Sequence, residues 1–435
     1  MKKFFGTDGI RGKAYEFLTP ELAYQVGLSL QLLRCKELII GRDTRESGKM
    51  LSLEIEKGAT EAGIKVRNAG IVSTPMLSYL SKRKNTLGVM ITGSHNPYHD
   101  NGIKVFKYGK KLSEKEEEEI EAVLNGIKVV NPEVKAELEA LDDAFSLYLE
   151  LYQELFNPTN LKIGLDLANG ATYEIGKKIF QNLNPNIKVI ADQPDGKNIN
   201  QDCGSTRPES LINLVLENAL DLGFAFDGDG DRLLVVNHDG RIFDGDHLIY
   251  VYANYLKEKG LLPGNTVVLT KMSNLGIIKA LKAKGINVLL TDVGDKYVFK
   301  ALEEYDYVLG GEASGHIINL NLLDTGDGVL NAVYLIKILE ESSLSLEEIV
   351  QEVKMYPERT YNLKDVDKGI LKNPYVLKRI EAIKAELGDN GKVLVRPSGT
   401  EPVIRVTVSA ENSTEVDYFI DDIVLLLKNT DLGEI

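Results

Sequence analysis

The chain has 435 residues, 43% of them hydrophobic, and a formal net charge of −14. That length exceeds what one core supports and predicts roughly two to four domains, while the apolar content excludes a disordered chain. The negative field opposes nucleic acid and anionic membrane surfaces, and no apolar run approaches the roughly 18–20 residues that cross a bilayer.

Met1-Lys2-Lys3-Phe4-Phe5 begins like a signal peptide, but Gly6-Thr7-Asp8 stops it before an apolar stretch develops. Cys35 and Cys203 form no C-x-x-C pair and predict no disulfide framework. A soluble, cytoplasmic protein is the expectation. From Leu38 onward one pattern recurs, an apolar run followed by a turn rich in Gly, Asp, Ser or Thr. It appears at Leu38–Arg42, Leu87–Ser94, Lys162–Ala171, Leu222–Asp231, Thr266–Asn274, Asn287–Asp295 and Tyr307–Gly315. Amphipathic segments of helix length lie between, so the pattern predicts α/β domains with mixed or largely parallel sheets. Ligands in such sheets bind at loops beyond the strand C-termini.

Ser113 with Glu116 and Ser345 with Glu348 read as capping boxes that start helices. The acidic run Glu116–Glu119 reads as a solvated helix face and not as a cation site. Breaks fall at Asn157–Asn160, near Phe243–His247 and around Tyr356–Lys368. They divide the chain into three α/β domains at 1–157, 158–245 and 246–360 and a smaller α+β domain at 361–435. The last contains a predicted helix Tyr375–Leu387, strands around Lys392–Val395 and Val403–Val408, and a final helix from Ser413. No internal sequence repeat is evident.

Five short motifs carry chemistry. Asp227, Asp229 and Asp231 alternate with glycine after Leu222–Phe226, and glycine permits the bends that let three carboxylates converge. Oxygen-only ligands favour a hard cation such as Mg²⁺; the other reading is a solvated acidic turn. An EF-hand is excluded, because its Gly position holds Arg232 and its final Glu position holds His238. Ser94, in Thr92-Gly93-Ser94-His95-Asn96-Pro97, is a turn former or cap on its own, but a phosphorylated serine there needs no activating base to act as donor. His95 and His99 do not form a zinc pair, since Pro97 breaks the helix that would present them. Arg11, in Gly6-Thr7-Asp8-Gly9-Ile10-Arg11-Gly12, is a candidate with Lys104 and His95 for holding the reacting oxygen or moving its proton. Glu312, Ser314 and His316 alternate in a polar loop that suits sugar hydroxyls, or is a plain connection. Arg396, Ser398, Gly399 and Thr400 form a turn whose guanidinium, hydroxyls and amides suit phosphate, with Arg405 on the next strand and Arg232 as a further cation; a decorated hairpin is the other reading.

Taken together, the five ordered motifs resemble those of the α-D-phosphohexomutases, and the resemblance runs essentially end to end. Within that superfamily the chain is most similar to the bacterial phosphoglucosamine mutases. Asp195-Gly196-Lys197-Asn198-Ile199-Asn200, Cys203-Gly204-Ser205-Thr206, Val293-Gly294-Asp295-Lys296-Tyr297-Val298 and Asp324-Thr325-Gly326-Asp327-Gly328 carry the similarity. Gly93, Ala313, Arg207 and Lys296 depart from the residues usual in that subgroup. The resemblance implies four domains around a central cleft. It implies a phosphorylated Ser94 that joins Asp227, Asp229 and Asp231 on one Mg²⁺ per chain. Arg11 and Lys104 would lie by the transferring group, Glu312 and Ser314 would read hydroxyls, and Arg396, Ser398, Gly399 and Thr400 would clamp the distal phosphate. The implied reaction converts glucosamine 6-phosphate to glucosamine 1-phosphate through a sugar bisphosphate, which also serves as activator. The implied partner is thus a small hexosamine phosphate, without nucleic acid or membrane, and similar enzymes are commonly homodimers.

Overall fold

The apolar runs become the central strands of three sheets in a computed structural model, which describes residues 3–128, 137–153, 155, 157–397 and 403–429. The chain folds as two compact units, Met1–Met272 with Ile286–Ile349, and Ser273–Gly285 with Val350–Ile435. Among the described residues, no helix is long and apolar enough to cross a membrane.

The first unit opens with strands β1 (Phe5–Gly6), β2 (Gly9–Lys13), β3 (Glu37–Arg42), β4 (Lys65–Ile71), β5 (Leu87–Ile91), β6 (Asp100–Lys107), β7 (Lys110–Lys111) and β8 (Leu138–Ala140). They form an eight-stranded sheet in the order β1-β2-β6-β5-β3-β4-β8, with β7 beside β6. All five residues of β5 are buried, as expected of a strand covered on both faces. Next come β9 (Ile163–Asp166), β10 (Lys188–Ile190), β11 (Leu222–Phe226), β12 (Leu233–Asn237) and β13 (Ile242–Phe243), then β14 (Thr266–Thr270), β15 (Asn287–Thr291), β16 (Leu309–Gly311) and β17 (Ile317–Asn319).

A topological repeat runs through these sheets. The order β4-β3-β5-β6 returns as β10-β9-β11-β12 and again as β15-β14-β16-β17. Each time three parallel strands are followed by one antiparallel strand. The sheets are therefore mixed, as the α/β expectation of mixed or parallel sheets allows; the returning strand is apolar too, and hydrophobicity does not encode its direction. The repeat is absent from the sequence for a related reason, since the fold constrains buried positions and connections but not residue identities. Its consequence is positional. The connection from the third strand to the fourth carries Thr92–Pro97 in the first sheet, Asp227–Arg232 in the second and Glu312–His316 in the third.

Helix starts follow local chemistry. Thr74–Arg83 is capped by the Ser73 hydroxyl and has Pro75 in its first turn. The predicted capping box at Ser113 and Glu116 is present, and so is that at Ser345 and Glu348.

In the second unit, β18 (Glu358–Lys364), β19 (Lys392–Pro397) and β20 (Val403–Ser409) form an antiparallel sheet in the order β18-β20-β19. Its apolar face packs with Ile380, Ile383, Phe419 and Ile423 from the helices Pro374–Leu387 and Ser413–Asn429. This is the predicted small α+β fold.

Candidate active site

Ser94 sits just past the C-terminal end of β5, beside the point where the chain leaves β3 for β4 on one side and β5 lies on the other. Such switch points are where α/β sheets place ligands. The serine is buried, with φ of 51°. A residue with a β carbon pays about 1–2 kcal/mol for that left-handed conformation, so its surroundings must impose it. Its N–H donates to Thr92 Oγ1 at 2.8 Å, and Thr92 in turn donates to Asp43 Oδ2 at 2.6 Å. Arg45, wholly buried and paired with Asp43, donates to the Ser94 carbonyl at 3.0 Å. The backbone is thus fixed while Oγ is left to reach forward. It donates to Asp227 Oδ2 at 2.7 Å and lies 3.4 Å from His95 Nδ1.

Asp227 begins the tip of the β11–β12 hairpin. Asp227, Asp229 and Asp231 are all buried, and one ligand atom from each lies within 4.8 Å of the others. Burial first, then the neighbouring Asp229 and Asp231, push the Asp227 carboxyl well above the usual carboxylate range. Burial acts on the other two in the same sense, but Lys104 with Thr74 at Asp229, and Lys104 with His316 and Arg232 at Asp231, together outweigh it and hold both below that range. Lys104 Nζ lies 2.8 Å from Asp229 Oδ2, 3.3 Å from Asp231 Oδ2 and 3.0 Å from Asp8 Oδ2. Burial opposes its charge, yet Asp229, Asp8 and Asp231 raise it well above the ordinary lysine range, so it stays an ammonium. Thr74, at the start of its helix, donates its hydroxyl to Asp229 Oδ2 and its N–H to the Asp229 carbonyl.

Arg11, on β2, pairs with Asp8 and reaches the Gly93 carbonyl at 3.5 Å. His95 is pushed down to about 4 by burial first and then by Arg232 and Arg11, so its imidazole is neutral at pH 7. Arg232 donates its N–H to Asp227 Oδ1 at 3.2 Å.

Glu312, Ser314 and His316 occupy the tip of the β16–β17 hairpin. That tip is fastened to the second sheet, where Leu233 N–H donates to the Gly315 carbonyl at 3.1 Å; the helix Gly328–Ser342 that follows is tied there too, its Gly328 N–H donating to the Gly230 carbonyl at 2.9 Å. His316 lies between Asp231 and Asp295, 3.6 Å from each. Burial works against its charge, but the two carboxylates push it up to about 9, so it is an imidazolium at neutral pH. Glu312 accepts the Gly294 N–H at 3.1 Å, and burial raises its carboxyl above the usual range. Ser314 is exposed.

Ser94, His95, Arg11, Lys104, the three aspartates, Arg232, Glu312 and His316 therefore belong to one connected polar network. Arg396 and Arg405 lie in the second unit, directly opposite each other on β19 and β20. Burial, then Arg405, pushes the Arg396 guanidinium down. Ser398, Gly399 and Thr400 lie outside the described residues.

Known proteins match this arrangement over the whole chain. Residues 2–130, 146–240, 244–356 and 360–426 match the four successive domains, I to IV, described as phosphoglucomutase/phosphomannomutase. A protein of Streptococcus equi subsp. equi named phosphoglucosamine mutase is 44% identical over 98% of this chain and 99% of its own length. The chain belongs to the phosphoglucomutase/phosphomannomutase family. A second phosphoglucosamine mutase, from Streptococcus uberis, is 43% identical over 100% of both chains. The crystal structure of a phosphoglucomutase/phosphomannomutase family protein from Burkholderia thailandensis shares the fold, with a TM-score of 0.82, 22% identity and 98% of each chain covered.

Membership of a family of metal-dependent mutases makes the donor set of the aspartates worth testing. All three offer oxygen, and Asp229 Oδ1 is buried with no hydrogen-bond partner among the described residues. An orphaned buried carboxylate oxygen is costly, and a hard divalent cation satisfies it. The residues fit a metal.

Several residues of the network were not singled out from the sequence. Asp8 lies inside the first motif, where glycine and arginine draw the eye. Lys111 Nζ lies 2.6 Å from Asp8 Oδ1 and also pairs with Asp295; no local signal marks it. Asp43 and Arg45 did carry a signal, because they follow the apolar run Leu38–Arg42 as Ser94 follows its own.

Proposed function

We propose that this chain interconverts glucosamine 6-phosphate and glucosamine 1-phosphate, with Ser94 carrying the phosphoryl group between them. The observation that supports it most is the Ser94 hydroxyl held 2.7 Å from Asp227 in a buried carboxylate cluster, in a chain 44% identical to a phosphoglucosamine mutase.

In the first half-reaction, the phosphorus–Oγ bond of phosphoserine breaks as the free hydroxyl of the sugar phosphate bonds to phosphorus. The hydroxyl proton passes through a nearby base to the departing Ser94 Oγ, and the product is a 1,6-bisphosphate. After the sugar turns over, its other phosphoryl group returns to Ser94 Oγ, whose proton goes to the departing sugar oxygen. We assign Lys104 and Arg11 to the charge on the transferring group. His95, neutral and 3.4 Å from Oγ, is placed to accept a proton. His316, held as a cation, is placed to donate one or to bind an oxyanion. Glu312 and Ser314 are assigned to sugar hydroxyls, with Arg232 beside them.

Asp227, Asp229 and Asp231 would hold Mg²⁺, one per chain, which supplies charge neutralisation at the phosphoserine when bound. We assign the phosphate that is not being transferred to Arg396 and Arg405, together with Ser398, Gly399 and Thr400. Two guanidinium groups placed opposite each other on adjacent strands repel, and an anion shared between them relieves the repulsion. We further propose domain breaks after residues 157, 245 and 360, and a cytoplasmic location, since charged sugar phosphates do not cross bilayers unaided.

A coupled assay tests the reading, with glucosamine 6-phosphate, Mg²⁺ and a trace of hexose 1,6-bisphosphate. Wild type is expected to form glucosamine 1-phosphate and Ser94→Ala is not. Turnover of glucose or mannose phosphates with none of glucosamine 6-phosphate would refute the assignment of the sugar. Equal activity in Ser94→Ala would refute the nucleophile.

A further inference from the structure

The loop that carries Ser94 is held from two sides, and only one of them is its own sheet. From the chain just past β3, one guanidinium nitrogen of Arg45 donates to the carbonyl of Ser94 at 3.0 Å and also to that of Asn96. From the segment that follows β10, the side-chain amide of Asn200 donates to the same two carbonyls, at 2.8 Å and 3.1 Å. Each carbonyl thus receives two donors.

Asn200 is itself anchored. Its N–H donates to the Ala168 carbonyl at 2.9 Å. Asp166, at the end of β9, accepts the N–H groups of Ala168 at 2.9 Å and Gly204 at 2.7 Å, which fixes the chain on both sides of it. The approach also depends on Gly228, where a β carbon would lie 2.6 Å from the Ser94 carbonyl oxygen and 2.8 Å from Asn200 Nδ2. The loop that holds the carboxylates, the loop that holds the serine and the Asn200 amide therefore meet at a point with no room for a side chain.

We propose that Asn200 is a positioning residue for phosphoryl transfer, holding the Ser94–Asn96 backbone against the second sheet so that Oγ stays aimed at Asp227. The inference rests on Ser94 being the residue that accepts phosphate. A side-chain-bearing residue in a left-handed conformation relaxes when its peptide plane is released, and Oγ moves with it. Arg45 ties that plane to the first sheet, which does not contain the carboxylates. Asn200 ties it to the sheet that does. Its removal takes away no charge and no reactive group, so the loss should fall on alignment alone.

The test compares wild type with Asn200→Ala and with Asn200→Leu, which keeps the volume and loses the donors without adding a charge. Steady-state rates are measured on glucosamine 6-phosphate with Mg²⁺, and single-turnover phosphorylation of Ser94 by glucose 1,6-bisphosphate is followed by intact mass. Misplacement of reacting atoms by about 1 Å costs on the order of 100-fold. Both variants should therefore lose about 10- to 100-fold in kcat and in the phosphorylation rate, with KM and the thermal midpoint close to wild type. Wild-type kcat in folded Asn200→Leu would overturn the inference, and so would a loss shared by KM and the thermal midpoint in both variants. If Asn200→Ala fails to fold, the Leu variant decides. A wild type whose Ser94 takes no phosphate overturns the underlying reading and the inference with it, an outcome distinct from a variant effect.

Discussion

Lys104 Nζ lies 2.8 Å from Asp229 Oδ2 and 3.3 Å from Asp231 Oδ2, so one buried ammonium already offsets two of the three carboxylates a cation would share. The protein can fold around its acidic cluster before any ion arrives.

Replacing that lysine exposes the arrangement. Lys104→Met removes the ammonium from the buried Asp229 and Asp231, while Arg11 and Lys111 stay on Asp8 and His316 stays near Asp231, and breaking such a buried pair costs about 3–5 kcal/mol. Added Mg²⁺ should recover part of it. Thermal unfolding with and without Mg²⁺ checks this, and the upward shift should be larger in the variant than in wild type. Equal shifts would show that lysine and ion do not share the cluster.

Asp229 carries the orphaned oxygen, so Asp229→Asn should weaken Mg²⁺ binding at least about tenfold while the protein stays folded. Calorimetric titration of the two proteins with Mg²⁺ is the measurement. Unchanged affinity would remove Asp229 from the ligand set.

The paired arginines separate affinity from stability. Loss of one charge-assisted contact to phosphate costs about 1.5–3 kcal/mol, which corresponds to about a 10- to 100-fold rise in KM for Arg405→Ala. The substitution also removes a cross-strand repulsion with Arg396. A fall in the thermal midpoint with KM unchanged would make the pair structural.

Asp327 gives a pH dependence with a defined sign. Burial pushes its carboxyl up to about 6, against the hydrogen bonds it accepts from Leu330 N–H, Tyr148 and Tyr152. Between the ordinary carboxylate value and about 6 the folded protein holds more protons than the unfolded chain, so stability falls as pH rises through that window. The group's share is on the order of 3 kcal/mol. Denaturation of wild type and Asp327→Asn at pH 4 and pH 7 should show this decline in wild type and a smaller one in the variant.

The sequence announced Ser94 and the three aspartates because each follows an apolar run, and runs of that kind end where parallel sheets expose their loops. It marked Lys104 as a candidate but not which groups it would meet. Lys104 meets Asp229 across 125 residues and Asn200 meets Ser94 across 106, and no local pattern encodes such distances. Lys111 carries no local signal, and only the fold sets its ammonium between Asp8 and Asp295. The α/β class, the capping boxes and the small α+β unit were legible, since they depend on periodicity and caps. Strand direction and the threefold recurrence of one topology were not, because burial constrains hydrophobicity and leaves residue identity free.

Under the function proposed above, that recurrence would put the phosphoryl donor, the cation site and the sugar contacts on three separate copies of one hairpin. A substitution that reshapes the Glu312 tip would then change which sugar is accepted while Ser94 keeps its place, and each trait would have its own loop to vary.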